Sequence, residues 1–495
     1  MTSNTTLTFK KSQLDSVLST LTSNSYVTIS RYTGWANTPP SFTGSKDETD
    51  AIWAEMVYGK KITVSDVSYV IDNRPWTSGE TYDSYSSDSS PESSKVHVVT
   101  DDRKVYKCIF NNGVNSTSKP TSTSNSTFTT ADGYVWKYMF TVSELNVSKF
   151  GSDDYTPVEV NTSIQAAAIG GTIDAVIVVD SGNNWVAHDS GTITEKLSNT
   201  QFKISSAAVT TNGYYEGSGF YVSSGSGFGF YSSVSTYVSN SSGNFVMVST
   251  AANTVDFGST YVISPRVIVD GDGSGVVAYS VVNSTSATVS SINVTNVGSG
   301  YTWANVRLVA AGSYSNSDYV VTPVVSPYRG HGYDPVTELG CDTVVVSVQL
   351  SNTDLVPSGF QFSTASVLKT PKTWGNASST YTDTEFSQFF SANVTLGVSI
   401  LAAPNSLELI TGSTSGATAT VIAANSTFVR FGDVRGTFLE GETASSNVTS
   451  SSFSLDAINT PDIEPQEGDI MMSSNFQPVT RTTVSTEKIK FTITA

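Results

Sequence analysis

Two short aromatic runs constrain this chain most: VYKCIFNNG (105–113) and TTADGYVWKYMF (129–140), joined by a linker rich in Ser, Thr and Asn. Residues 135–140 are apolar at most positions. A strand of that kind is buried on both faces, so it needs neighbours and covering layers on both sides. Elsewhere, Val/Ile/Thr segments suited to a pleated, half-buried surface alternate with Gly and Ser turns. The expectation is a mainly β fold: an antiparallel β-sandwich core, two short helices near the N-terminus, and inserted all-β domains.

Composition separates this from disorder. Hydrophobic residues make up 38% and charged residues only 14%, but 23 Tyr, 23 Phe and 7 Trp supply a core. The formal charge of -17 comes without a Lys/Arg cluster, which argues against nucleic acid and against an anionic membrane as partners. Cys108 and Cys341 are too few for a disulfide framework and read as buried small apolar residues. The start, MTSNTTLTFKK, has no apolar stretch of a secretory signal, and no run approaches the roughly 18 apolar residues of a membrane span. Asn-X-Ser/Thr triplets at Asn115, Asn125, Asn146 and Asn240 carry no weight as glycan sites in a chain this rich in those residues.

Along the chain, Leu14, Val17, Leu18 and Leu21 form one helical stripe. YVTISRY (26–32) alternates as a strand. Ser45 and Glu48 have capping-box spacing before AIWAEMVYG, a helix with Ile52, Trp53 and Met56 inward and Gly59 at its end. ITVSDVSYVI (62–71) is a strand. NRPWTSGETYDSYSSDSSPESS is a surface loop whose aromatics dock on the body or on a neighbour. Charge thins between about 170 and 320, where AVIVVDSGNNW (175–185) and INVTNVGSGYTW (292–303) share a strand, a Gly turn and an aromatic lid. The domain reading is a core from 1–171, 322–390 and 459–495, interrupted by an all-β insertion at 172–321 and a small barrel-like one at 391–458. A second β stretch of hairpins begins near Leu401. The last strand, 486–495, should pair within the N-terminal core.

The search for chemistry yields little. His97, His188 and His331 have unrelated contexts, and no His-Glu-X-X-His, Cys-X-X-Cys or Gly-X-Ser-X-Gly is present. His331, in RGHGYD beside Asp334, reads as a loop imidazole bonded to backbone. DGDGSG (270–275) lacks the calcium-loop glutamate, which is replaced by Val281, and reads as a Gly-rich hairpin. SSGSGFG around Gly225 has no βαβ unit about it. Asp153/Asp154 and Glu440/Glu442 could serve as glycosidase carboxylates only at the right separation in space. No catalytic, cofactor-binding or metal residue is assigned. The expectation is a non-enzyme with no cofactor and no small-molecule substrate.

Several segments resemble one family, the baseplate wedge subunit called gene product eight of T-even-like contractile-tailed phages. They are the N-terminal helix with YVTISRYTGWANTPP, AIWAEMVYGKKI with VIDNRPWTSGETYD, VYKCIFNNG, ADGYVWKYMFTV, SPYRGHGYDPVTELG and the closing EGDIMMSSNFQPVTRTTVSTEKIKFTITA. They bracket the chain and cover about half of it, whereas 172–321 and 391–458 depart from the shorter family form. The resemblance implies a virion tail protein, dimeric within each wedge, contacting other wedge proteins, from a virus that could infect cyanobacteria. Interfaces are anchored by aromatics and Arg. Trp35, Arg74, Trp76, Tyr82 and Tyr85 are therefore the interface candidates, and Trp53 and Trp136 are assigned to the core. The competing class is a carbohydrate-binding or depolymerising tail protein, suggested by the Gly/Ser/aromatic-rich β insertion with acidic loops.

Overall fold

The computed structural model describes residues 6–494 apart from 33, 36–37, 87–90, 92–93, 311–317, 355, 357–359, 397–407, 425–426, 449–451 and 483. Leu401 and parts of the 73–94 loop thus lie outside the described residues. The fold is mainly β, with antiparallel sheets and a few short helices. The chain divides into two compact units. One is Met1–Val70, Ser148–Gly151 and Asp342–Ala495; the other is Ile71–Val147 and Ser152–Cys341.

The first unit holds a sandwich. One sheet runs, edge to edge, Glu385–Ser387, Met56–Lys61, Ser25–Arg31, Gln361–Lys369 and Asp469–Thr480, each pair antiparallel. Facing it, Thr343–Leu350 pairs with Val67–Asp72 on one side and Glu487–Thr494 on the other. Val27, Val57, Val367, Val346, Val348 and Phe491 pack between the layers. The helix Leu7–Asn24, capped by Thr6, adds Leu21 and Val17 to the same cluster. The terminal strand joins this sheet beside Thr343–Leu350, one strand away from Val67–Asp72. Ile489 and Phe491 are its buried face, with Ile493 half-buried, and Lys488 and Lys490 are exposed.

The second helix, Lys46–Glu55, opens on the Ser45/Glu48 capping box but stops before Gly59. Met56–Lys61 is instead a strand, with Tyr58 opposite Ile29. Val57 and Tyr58 favour a pleated surface, and pairing satisfies their backbone. Gly59, rather than ending a helix, makes room for a ring, since a Cβ there would lie 2.2 Å from Phe386 on the neighbouring strand. Between 390 and 459 six strands close a barrel, from Phe390–Leu396 to Ser452–Asn459, around Phe431, Phe453, Leu455 and Val429.

In the second unit, Lys104–Phe110 and Val135–Thr141 are the inner strands of a four-stranded sheet, with His97–Val99 and Phe128–Thr129 outside them. Residues 136–140 are all buried. A seven-stranded sheet between 189 and 264 packs Phe202, Phe220, Tyr237 and Tyr261. Ile173–Asp180 pairs with Val320–Val325 and touches Thr288–Ser299 at Val176 opposite Ile292, so the two similar segments are neighbours in one sheet. Their aromatics differ. Trp185 is fully buried and Trp303 is 56% exposed, while Tyr301 takes the buried place. The 270–275 turn is not a hairpin. Arg266–Gly271 pairs with Ala304–Val309, and Ser274–Asn283 pairs with Thr288–Ser299. Asp272 accepts from Thr302 N and Oγ1 and from Trp303 N.

Candidate functional site

His97, Lys107 and Lys137 are register partners across three adjacent strands, His97 opposite Lys107 and Lys107 opposite Lys137. They form a basic row on one sheet face, and they are 1%, 0% and 4% exposed. Like charges directly opposite each other are destabilising, and an unpaired buried ammonium costs several kcal/mol. Each position meets this differently.

His97 stays neutral. Burial pushes its imidazole down to about 4, and the Arg74 charge adds to that. Its Nε2 donates to Asp72 O at 3.0 Å. Lys107 keeps a partner: Nζ donates to Glu338 Oε2 at 3.1 Å and to His331 Nδ1 at 3.1 Å. The same ammonium stands 4.1 Å from the Tyr85 ring centroid. Burial pulls the Lys107 ammonium down, while Glu338 and Asp174 pull it back up. Lys137 Nζ donates to Asn125 O at 2.5 Å.

The carboxylates arrive from two other segments. Glu338 ends the short helix Pro335–Glu338, whose cap Asp334 accepts from Thr337 N. Glu338 accepts from Gly332 N at 2.8 Å and from Asp334 N at 3.2 Å. Burial alone would raise its carboxyl, but Lys107, His331 and the Gly332 N–H outweigh that and hold it at about 2. Gly332 has φ +90, and a Cβ there would lie 2.5 Å from Ile164 Cγ2, so the loop closes on the sheet only with glycine. Asp174 lies 3.7 Å from His331 Nε2 and accepts from Thr172 Oγ1 at 2.8 Å. His331 is thus no loop imidazole bonded to backbone. It sits between Lys107 and two carboxylates, its pKa lowered by burial and by the lysine. Asp334, its near neighbour in sequence, serves the helix instead.

Lys107 and Lys137 thus share this pocket with Glu338 and Asp174 around His331, whose imidazole is pushed toward its neutral form by burial and by Lys107. With Lys107 at 0% and His331 at 4% exposure, the group is a charge staple. It ties the aromatic strands to the 326–340 loop and to Ile173–Asp180. Sequence reasoning missed Lys107, Lys137, Glu338 and Asp174. The available signal was a lysine at the centre of each apolar run, YKC and WKY.

The interface candidates divide. Arg74, Trp76, Tyr82 and Tyr85 lie on one loop folded against the aromatic sheet; Trp35 belongs to the other unit. Tyr82 is a correction: at 4% exposure it is a core residue, edge-on to Trp136, with its hydroxyl accepting from Thr77 N. Trp136 and Tyr134 provide the aromatic floor that draws it in. Tyr85 is half-buried over Lys107 and edge-on to His331. Burial first, then Glu338 and Asp174, push its hydroxyl up to about 12. Trp76, half-buried, donates from Nε1 to Ser116 Oγ at 3.1 Å. Arg74 donates to Asp72 and to Ser94 O. Trp35 is half-buried, edge-on to Tyr32.

The acidic pairs are engaged in turns or exposed. Glu442 accepts from the N–H groups of Leu439, Thr414 and Ser415, and Glu440 from Ile458 N; Asp153 and Asp154 are exposed. Among the described residues, no group of three His, Cys, Asp or Glu is placed to hold a metal ion. Cys108 and Cys341 are both buried and form no disulfide among the described residues. No protein-family model matches the chain, and no curated protein matches it significantly.

Proposed function

We propose that the chain is a structural subunit of the baseplate wedge of a contractile phage tail, dimeric within the wedge and acting by protein–protein contact in the virion. The observation that carries this is where the resembling segments come together. Lys107 from VYKCIFNNG, Lys137 from ADGYVWKYMFTV, and His331 and Glu338 from SPYRGHGYDPVTELG share one buried cluster. The family-like wording thus coincides with the residues that fix this unit's packing. Above it, half-buried Trp76 and Arg74 are held on a loop pinned at Ser116, Ser94 and Asp72, a rigid presentation that suits an interface anchor. The test is co-expression with the neighbouring wedge proteins, with light scattering on the purified chain. A dimer that captures wedge proteins, weakened by Trp76→Ala, is expected. A strict monomer at high concentration that captures none would overturn the reading.

A further inference from the structure

The turn 327–330 in the second unit is closed by Gly330 N, which donates to Pro327 O at 2.8 Å, so Tyr328 and Arg329 stand at its tip. Arg329 has φ +73, a conformation in which glycine or asparagine is the usual residue and a long side chain is an outlier. The turn is fixed in place. Ser326 N donates to Thr172 O at 2.8 Å, and Ser326 Oγ accepts from Thr172 N at 2.9 Å. A Cβ on Gly330 would lie 2.4 Å from Ile169 O, so the turn rests directly on the segment before Ile173–Asp180. The result is a small presented patch: Tyr328 is 90% exposed and Ile169 55%, with Arg329 exposed beside them.

The Arg329 guanidinium lies 5.6 Å from the Tyr328 ring centroid and 4.8 Å from that of Tyr333, and its Nη1 donates to the Tyr333 hydroxyl at 2.7 Å. Two hydroxyls cannot use all five donors of a guanidinium. Elsewhere Arg31, Arg74, Arg103, Arg307 and Arg481 each meet a carboxylate. Arg329 pairs with none among the described residues, although the chain carries a formal charge of -17. Backbone strain that no ion pair within the fold accounts for is a pointer to function.

We infer that this patch docks an acidic segment of a partner protein, in which an Asp or Glu sits next to an apolar side chain. The carboxylate takes the open edge of the Arg329 fork, a charge-assisted and bidentate contact, and its apolar neighbour lies on Tyr328 and Ile169. Tyr and Arg are the residue types that anchor interfaces, and a loop already set in shape loses little freedom on binding. A nucleic acid or an anionic membrane fits worse. Each is held through several cations, and this turn offers one, on a chain of formal charge -17. The inference does not rest on the wedge reading; it sets the chemistry of the partner and not its identity.

The test is selection of random peptides displayed on yeast against the full chain, then fluorescence anisotropy of the enriched peptides at low and high salt. Those peptides are expected to carry Asp or Glu beside an apolar residue and to bind more weakly in high salt. Arg329→Asn removes the charge with a residue that accepts positive φ; it should lower affinity about tenfold or more and leave the melting temperature unchanged or raised. Tyr328→Ala should weaken the same peptides. The inference is overturned if selection enriches no acidic peptide, or if Arg329→Asn binds them as the parent does. A melting temperature several degrees lower in Arg329→Asn overturns it too, because the arginine then serves the loop. Arg329-dependent binding of phosphatidylserine vesicles but of no acidic peptide would assign the turn to a membrane instead. A monomer that captures no wedge protein would sink the wedge reading and leave this result standing.

Discussion

Lys107 and Glu338, 231 residues apart in the chain, form a 3.1 Å ion pair whose side chains are 0% and 6% exposed. Breaking one half should cost far more than replacing both. Lys107→Met leaves the Glu338 carboxylate buried beside Asp174 and should destabilise by about 3–5 kcal/mol. The Lys107→Met/Glu338→Leu double variant should recover part of that. Urea unfolding of the three variants measures it; a single variant within about 0.5 kcal/mol of the parent would show that the pair is solvated.

Acid should weaken the fold in two successive windows. His97 ordinarily titrates at 6.5 and is held at about 4. Between those values the unfolded chain takes up a proton that the folded chain refuses, so stability falls as pH drops from 6.5 to 4. At about 1.4 kcal/mol per pH unit, the window is worth about 3 kcal/mol. Glu338, ordinarily at 4.5 and held at about 2, contributes stability that is lost as pH falls from 4.5 to 2. His97→Gln should flatten the upper window in a series of melts across pH and leave the lower one intact.

Gly59→Ala should destabilise by about 1–3 kcal/mol, since the new methyl would have to displace the Phe386 ring from 2.2 Å. Phe386→Leu placed in the Gly59→Ala background should cost less than it does alone. Strict additivity of the two changes in thermal melts would show that the ring moves aside freely.

Phe491→Ala should cost about 3 kcal/mol, because the ring closes one end of the sandwich at 8% exposure. Thr492→Ala, on the exposed face, should change stability by less than about 0.5 kcal/mol. Similar losses at both positions in denaturant melts would mean that the strand acts through its backbone alone.

What the sequence disclosed follows from how local each signal is. The central strand around Trp136 and the Ser45 cap were readable because burial on both faces and a four-residue capping box leave their marks within a few positions. The end of the second helix was not. Tyr58 continues a helical stripe and suits a strand equally well, and its partner Ile29 lies on another segment. The charge cluster was hidden for the same reason. Asp334 is the neighbour of His331 in sequence, whereas its neighbours in space are Lys107, Asp174 and Glu338.

The pairing of Ser25–Arg31 with Gln361–Lys369 sets a clock on synthesis. Thr28 donates to Ser366 O across 338 positions of chain. At the usual rate of about 5–20 residues per second, the ribosome needs roughly 17–70 s to deliver that partner. Until then an apolar strand edge made in the first moments of translation stands unpaired. The early pair of Ser25–Arg31 and Met56–Lys61 keeps one edge open for that interval, and slow codons between 31 and 361 would lengthen its exposure to aggregation.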